Sequence, residues 1–276
     1  MLAKPQKCGD FGAKRALRGP KPKLCDMAAY DFAAQRLFVA AALGPGAVIE
    51  LDRAQAHYAV SVLRLGTGDE LILFNGRDGE WRASLEVTGR KAARLTATAQ
   101  LRPQTPAPDL VYLFAPLKHA RLDYMVQKAV EMGAGELRPV FTRRTQAGRV
   151  NLERMQANAV EAAEQCGIVS IPTIREGEDL GPAIRALEPE RLLVFCDEDA
   201  PVTDPVEALR AATAGHAGLA VIIGPEGGFA PEERQLLLAH PNVIRISLGP
   251  RILRADTAAV AALAIVQAVL GDWRRG

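Results

Sequence analysis

One glycine-rich loop, residues 224–228 with the sequence Gly-Pro-Glu-Gly-Gly, constrains this chain more than any other stretch. The β-branched run before it predicts a buried strand, and Pro231 followed by two glutamates predicts the start of a helix. Glycines just after a strand let a ligand approach backbone groups, at the edge where open α/β sheets bind ligands. A tight turn that binds nothing explains this single loop equally well.

A second loop of the same kind follows about twenty residues later. Residues 243–246 predict another short strand, and Gly249 and Pro250 follow it before an alanine-rich helix. Two such exits from successive strands form a pair, which favours a ligand-binding edge. Neither loop matches a standard phosphate-binding motif, because GxxxxGK[ST] is absent from the chain. Elsewhere, residues 133–135 have the sequence Gly-Ala-Gly but lack the third glycine of a dinucleotide-binding motif. We expect a ligand that is not held by its phosphates.

Strands and helices alternate from Leu110 onwards, which predicts a mainly parallel sheet covered on both faces. The predicted strands are 110–114, 138–141, 191–196, 221–223 and 243–246, and the predicted helices are 119–134, 152–166, 180–187 and 255–270. The last helix is apolar nearly all round, so we expect it to be buried inside the domain or at a subunit interface.

The first part of the chain predicts a different architecture. Residues 36–101 alternate in polarity along several short segments, which predicts a small antiparallel β-barrel with one helix over residues 54–64. That helix would place His57 and Arg64 on roughly the same side. Three prolines within residues 102–109 predict a stiff linker, with a second domain over residues 110–276.

Charge is concentrated at the start of the chain. Residues 1–35 hold seven Lys/Arg against three Asp, a net of +4 in a chain of net +2, and we expect this leader to be disordered. It is either an RNA-binding arm or a stretch upstream of a start at Met27. The scattered cysteines include no CxxC pair, so we expect no metal site and interpret Cys166 and Cys196 as small core residues. No apolar run suits a membrane span or a secretory signal, and we expect a cytoplasmic protein.

Together the two loops resemble a known family. Gly224-Pro225-Glu226-Gly227-Gly228 and Leu248-Gly249-Pro250-Arg251-Ile252-Leu253-Arg254 are similar to motifs of the ribosomal RNA small subunit methyltransferase E family, in the SPOUT superfamily, and the similarity runs from Arg36 to about Asp272. The resemblance implies an α/β fold: a knotted, SPOUT-type, mainly parallel C-terminal domain and an N-terminal PUA-like RNA-binding β-barrel. It further implies a homodimer and S-adenosylmethionine-dependent methyl transfer to N3 of a uridine in 16S rRNA, uridine 1498.

The resemblance also implies site residues. Arg254 would stabilise negative charge on the uracil, and Glu226 or Asp256 would accept the N3 proton. Asp256 stands where the family generally has glutamate, and Glu226 could instead tie down its own loop through backbone N–H groups. The residues implied to bind the cofactor are Gly224, Pro225, Glu226, Gly227, Gly228, Ser247, Leu248, Gly249, Ile252 and Leu253.

Basic residues suggest contacts to RNA phosphates, although ordinary solvated surface is the alternative for each of them. The residues that we predict to bind RNA are Arg64, Lys118, Arg121, Arg143 and Arg144. Ile168 stands where the family usually has arginine, which puts a role of that helix in RNA binding or dimerisation in doubt. Three other functions remain open: a different SPOUT RNA methyltransferase, a non-catalytic RNA-binding protein and a small-molecule α/β enzyme.

Overall fold

The computed structural model describes residues 35–118, 120–200, 204–212 and 216–275. The expected disorder of the leader therefore concerns residues that lie, apart from Gln35, outside the described ranges. Within those ranges no helix has the length and apolarity needed to cross a membrane.

The N-terminal domain is a five-stranded sheet. Its strands are β1 (Arg36–Phe38), β2 (Val48–Glu50), β3 (Glu70–Phe74), β4 (Glu80–Gly89) and β5 (Ala92–Arg102), in the order β1-β3-β4-β5-β2. Trp81, Ala83 and Leu85 are buried on one face, as their alternation predicts. The expected antiparallel pairing is wrong for β1 and β3, which are parallel. These two strands are not joined by a hairpin, because β2 and a helix lie between them in the chain.

The predicted helix over residues 54–64 is shorter and less regular than expected. Helix α1 (Arg53–His57) continues into a single π-helical turn (Tyr58–Val62), in which the Leu63 N–H donates to the Tyr58 carbonyl. Arg64 follows with a φ of 59°, in the left-handed region. His57 and Arg64 therefore do not share one helical face.

The C-terminal domain is a parallel sheet between helices. Its strands are β6 (Leu110–Phe114), β7 (Glu136–Phe141), β8 (Thr173–Ile174), β9 (Glu178–Asp179), β10 (Leu192–Cys196), β11 (Leu219–Ile223) and β12 (Val243–Ile246). Its helices are α2 (Ala120–Glu131), α3 (Leu152–Gln165), α4 (Leu180–Arg185), α5 (Pro205–Ala211), α6 (Pro231–Leu238) and α7 (Ala255–Val269), followed by a 3₁₀ turn (Asp272–Arg275). The pattern did not predict β8, β9 or α5, which are short.

Helices cover both faces of this sheet, as predicted. Tyr112 and Phe114 of β6 face α2, α3 and α7, while Leu113 of the same strand faces α4 and α6. Cys166 lies at the end of α3 and is exposed, so its interpretation as a core residue is wrong. Cys196 is half-buried as a residue, and burial raises the pKa of its thiol to about 12.

Strand order changes the expected relation between the two loops. The order β12-β10-β11-β6-β7-β8, with β9 paired to β7, places β10 between the strands that carry the loops. The two exits are successive in the chain but not adjacent in the sheet. Because β10, β11 and β12 are mutually parallel, all three still end at the same edge.

The two domains are joined at the carboxyl end of α3. The Arg36 guanidinium, almost fully buried, donates to the carbonyls of Ala163, Glu164 and Ile168 and pairs with Glu80 at 2.7 Å. Arg102 also pairs with Glu80 and donates to the Gly167 carbonyl at 2.7 Å. The segment whose role we questioned because of Ile168 therefore anchors the N-terminal domain through its backbone.

Candidate active site

The first glycine loop is a tight turn at the end of β11. The Gly228 N–H donates to the Pro225 carbonyl at 2.9 Å, and Gly228 has a φ of 70°, which favours glycine. A Cβ on Gly224 would stand 2.6 Å from the ring of Phe229, which packs edge-on against Phe195. Both glycines are therefore required, one by its conformation and the other by close packing.

The second loop, at the end of β12, is open. Gly249 has a φ of 99°, and no atom lies within 4 Å of the position that its Cβ would occupy. Ile252 is 99% exposed, an unusual state for an isoleucine. Arg254, the N-cap residue of α7, is exposed and makes no side-chain hydrogen bond or ion pair within the described ranges. This loop presents backbone, one apolar side chain and one unpaired cation to the solvent.

Arg121 of α2 links the two loops. Its guanidinium pairs with Glu226 of the first loop, and its Nε lies 3.1 Å from Asp256 in the first turn of α7, just after the second loop. The hydrogen bond from Arg121 lowers the pKa of Asp256, and both carboxylates raise the pKa of Arg121. Since one side chain reaches both acids, the two loops lie at one site.

A small cavity of about 80 Å³ adjoins this ion-pair network. It is lined by Pro116, Leu117, Lys118, Arg121, Arg144, Gln146, Pro225 and Glu226. The Arg144 guanidinium donates to the Gly227 carbonyl, and Lys118 is exposed at the rim. Cationic groups therefore outnumber acidic ones along its wall, which suits an anionic or carbonyl-bearing ligand.

Arg143 has a different environment from its neighbour. Its side chain is 69% exposed and pairs with Glu232, and its backbone N–H donates to Glu233 at 2.7 Å. Glu233 also accepts the N–H of Ala230 at the start of α6. Glu233 thus ties the exit of β7 to the helix that follows the first loop.

The structure therefore brings most of the predicted site residues to one edge of the sheet. Those on or beside the two loops are Gly224, Pro225, Glu226, Gly227, Gly228, Ser247, Leu248, Gly249, Ile252, Leu253, Arg254 and Asp256. Lys118, Arg143 and Arg144 follow the ends of neighbouring strands, and Arg121 lies in the first turn of α2. Arg64 lies apart from them, exposed in the N-terminal domain. Arg121 contacts the predicted catalytic acids directly, a role that its prediction as an RNA contact did not include.

Sequence reasoning missed the exit of β10, which lies between the two loops. Asp197 is buried there and pairs with Arg234 at 2.8 Å and Arg245 at 2.7 Å. Glu198 follows it and faces Gly228. The sequence does contain a signal for this exit. Three consecutive acids, residues 197–199, directly follow a buried apolar strand, and polar side chains at the end of such a strand are typical of a ligand-binding edge.

A buried hydroxyl lies beneath the same edge. Tyr112 is completely buried, and its hydroxyl has no hydrogen-bond partner within the described ranges. Burial raises the pKa of Tyr112 well above its ordinary value, with Cys196 and Asp256 as electrostatic neighbours. Over the same ranges, no group of three or more His, Cys, Asp or Glu is arranged to hold a metal ion.

Comparison with known families defines the class of protein. Residues 103–267 match the model of an RNA methyltransferase domain, and residues 51–97 match an RNA methyltransferase PUA domain. The fold and the loops are therefore those of an RNA methyltransferase with an N-terminal PUA domain.

Individual relatives identify the family within this class. The chain is 30% identical to ribosomal RNA small subunit methyltransferase E of Rickettsia conorii, over 84% of this chain and 94% of the relative. It is 33% identical to the Synechocystis protein of the same name, over 86% and 78%. The chain belongs to the ribosomal RNA small subunit methyltransferase E family.

Solved structures agree with this assignment. A Legionella pneumophila protein solved with the cofactor SAM bound matches with a TM-score of 0.70 at 30% identity, over 85% of this chain and 97% of that one. Ribosomal RNA small subunit methyltransferase E of Neisseria gonorrhoeae, bound to S-adenosyl methionine, matches with a TM-score of 0.75 over 87% and 99%; at 23% identity this supports the fold alone.

Proposed function

We propose that this protein transfers a methyl group from S-adenosylmethionine to N3 of a uridine in 16S rRNA, the family's uridine 1498. The observation that carries the proposal is the double ion pair of Arg121 with Glu226 and Asp256. It unites the two glycine loops, which sequence resemblance associates with the cofactor, at one edge of a parallel sheet.

The loops suit a cofactor held mainly by backbone atoms. The space around Gly249 is open, Gly228 exposes main chain in a conformation that favours glycine, and the uncovered Ile252 gains from contact with an apolar ring. We therefore assign cofactor binding to the predicted residues of both loops. When bound, S-adenosylmethionine supplies an activated methyl group, so the protein needs chiefly to position the reactants and manage one proton.

Arg254 is the residue best placed to act on the uracil. It is cationic, exposed beside the second loop and free of other partners within the described ranges. A guanidinium next to a uracil carbonyl would stabilise the negative charge that forms as the N3 proton leaves.

Of the two carboxylates, Glu226 is the better proton acceptor. Arg121 lowers the pKa of Asp256 through its hydrogen bond and engages both of its carboxylate oxygens. Glu226 is 44% exposed, against 17% for Asp256, and only its Oε1 is bonded to Arg121. We assign the N3 proton to Glu226 Oε2 and a positioning role to Asp256.

RNA recognition would use both domains. The PUA-like domain with Arg64 would contact RNA away from the target base, while Lys118, Arg121, Arg143 and Arg144 would surround it. We also propose the family's trefoil knot over residues 110–276, a homodimer and a cytoplasmic location. The knot would hold the two loops together.

The test is to incubate the protein with labelled S-adenosylmethionine and small ribosomal subunits that lack the modification, and to map the product by mass spectrometry. We expect one methyl group on N3 of one uridine of 16S rRNA. Methylation of a ribose or of another base would indicate a different RNA methyltransferase. Salt-dependent RNA affinity with no affinity for S-adenosylmethionine would indicate a non-catalytic RNA-binding protein, and methylation of a small metabolite alone would contradict the proposal.

A further inference from the structure

A cavity of about 390 Å³ lies at the edge of the sheet opposite to the candidate active site. Pro108, Gly135 and Pro172 in its wall come just before β6, β7 and β8, which are parallel neighbours. The glycine loops follow the carboxyl ends of strands in the same sheet, and a strand of five residues spans about 17 Å. The cavity is therefore separate from those loops, and its volume lies in the range of ligand sites, about 300–1,000 Å³.

Buried contacts hold the wall of this cavity in place. Gln267, 2% exposed, donates from Nε2 to the Met132 carbonyl at 2.8 Å, and its Oε1 accepts the N–H of Asp272 at 3.0 Å. These bonds fix the 3₁₀ turn that follows α7 against the turn that follows α2. On the other side, a Cβ on Gly135 would clash with the Pro108 carbonyl, so the two segments pack backbone to backbone.

Two polar groups of the wall lack partners. Ser170 is 9% exposed, and its hydroxyl makes no hydrogen bond within the described ranges, although buried hydroxyls normally have one. The Asp272 carboxylate is exposed and makes no hydrogen bond or ion pair with a described residue. Glu131, the other acid in the wall, is neutralised by Lys128 at 2.7 Å. A buried hydroxyl and one unpaired negative charge are thus available to a ligand.

The rest of the wall is apolar and aromatic. Val130, Ala134 and Ile168 contribute aliphatic surface, and the Trp273 indole is 53% exposed beside Asp272 in the chain. None of the described residues that line the cavity is basic. A guanidinium donates to carboxylate and hydroxyl oxygens and stacks on an indole, while the methylene groups of its side chain cover apolar surface.

We propose that this cavity binds an arginine side chain presented by a basic segment of a partner protein. The guanidinium donates to Asp272 and Ser170 and stacks on Trp273. Free arginine would add an α-carboxylate that finds no basic residue among the described lining residues, whereas an arginine within a peptide carries uncharged amides there. The inference does not depend on the proposed function, because the cavity lies at the other edge of the sheet.

The experiment titrates the full-length protein with the peptide acetyl-Gly-Arg-Gly-amide and follows tryptophan fluorescence. The chain has two tryptophans, and Trp81 is 7% exposed in the N-terminal domain with its Nε1 bonded to the Asp78 carbonyl, so a change reports on Trp273. Peptides with citrulline, which is neutral and of similar shape, or with lysine in place of arginine are the matched ligands. The arginine peptide should bind at least about tenfold more tightly than either.

Variants assign the contacts. Asp272→Asn should bind the arginine and citrulline peptides equally, and Ser170→Ala should bind the arginine peptide about five- to tenfold more weakly than the wild type. Trp273→Phe should abolish the fluorescence change, while calorimetry still detects weakened binding. Glu153→Gln, at an exposed position at the start of α3, about 20 Å from the end of that helix, should match the wild type. Thermal unfolding of each variant confirms folding.

Other outcomes overturn the inference in distinguishable ways. If the arginine peptide causes no saturable change, the cavity does not bind it. Equal affinity for the lysine peptide would contradict recognition of a guanidinium, and equal affinity for free L-arginine would contradict a protein segment as its source. Saturating S-adenosylhomocysteine should leave the affinity for the peptide unchanged. A loss of affinity would place the peptide at the glycine loops and would overturn this inference without contradicting the proposed function.

Discussion

Two arginines of the site have opposite environments, although the sequence presents both simply as basic residues. Arg121 pairs with two carboxylates from different elements, whereas Arg254 makes no side-chain hydrogen bond or ion pair within the described ranges. An arginine already engaged by two acids positions them, while an unpaired one remains available to substrate. We therefore propose Arg121 as a positioning residue and Arg254 as the catalytic cation.

Substitution separates these roles. Arg121→Gln releases Glu226 and Asp256, so kcat/KM should fall about a hundredfold through misplaced loops, and affinity for S-adenosylhomocysteine should also fall. The pKa of Asp256, followed by NMR titration, should rise towards its ordinary value, because the Arg121 hydrogen bond that lowers it is gone. Arg254→Gln should lower kcat about a hundredfold or more and leave cofactor affinity unchanged.

Methylation kinetics, combined with calorimetry, check both expectations. Arg185→Gln, at an exposed position on α4, serves as the matched control and should behave as the wild type. An Arg121→Gln enzyme with unchanged kcat/KM and normal cofactor affinity would contradict the positioning role.

At the scale of elements, the end of α3 depends on the N-terminal domain. The last carbonyls of a helix lack partners within it, and here Arg36 and Arg102 donate to carbonyls between Ala163 and Ile168. Glu80, 4% exposed, lies between the two guanidiniums. Burial acts to raise the pKa of Glu80, but hydrogen bonds and charge from Arg102 and Arg36 outweigh it, so the pKa is lowered.

Glu80→Gln should therefore destabilise the protein by about 3 kcal/mol at neutral pH, because it leaves a buried arginine without its counter-charge. A carboxylate whose folded pKa is lowered stabilises the fold above its unfolded pKa, about 4.3. That contribution is lost as the pH falls through the lower folded value. The difference in unfolding free energy between the two proteins should thus be constant above about pH 5.5 and shrink below about pH 4.

Urea unfolding over a pH series measures this difference. Glu86→Gln, which breaks an exposed pair with Arg94, is the control and should change stability little at any pH. If the difference in unfolding free energy between the wild type and Glu80→Gln does not depend on pH, Glu80 is not the buried carboxylate that stabilises the fold in its ionised form.

For the whole molecule, α7 presents a face that its own core does not use. Ala259, Leu263 and Val266 are buried, whereas the opposite side carries small residues that are half-buried or exposed. Those residues are Thr257, Val260, Ala261, Ala264 and Ala268. Small residues at helical spacing allow close helix packing, which supports the homodimer proposed above.

Ala264→Arg should convert the proposed dimer to monomers, because a buried unpaired charge at a subunit interface is strongly unfavourable. Sedimentation equilibrium should give about twice the chain mass of 29.6 kDa for the wild type and about one chain mass for the variant. Ala186→Arg, at the exposed residue that ends α4, should remain dimeric. A monomeric wild-type protein would contradict the dimer.

The sequence was most informative where structure is local. The two glycine loops, the strands before them and α7 follow from apolar runs, glycines and helix-start residues that lie close together in the chain. Short elements were missed, because two-residue strands such as β8 and β9 carry no periodicity. The π-helical turn after His57 was also missed, since its apolar spacing resembles that of an ordinary helix.

By itself, the sequence determined the alternation of strands and helices, the two loops with their glycines, and the family that these motifs indicate. Only the tertiary structure decided that β10 separates the two loops, that Glu198 lies between them, and that Arg121 joins Glu226 to Asp256. The physical reason is distance along the chain: Arg121 contacts residues 105 and 135 positions away. Strand order and packing bring such residues together, and no local pattern encodes either.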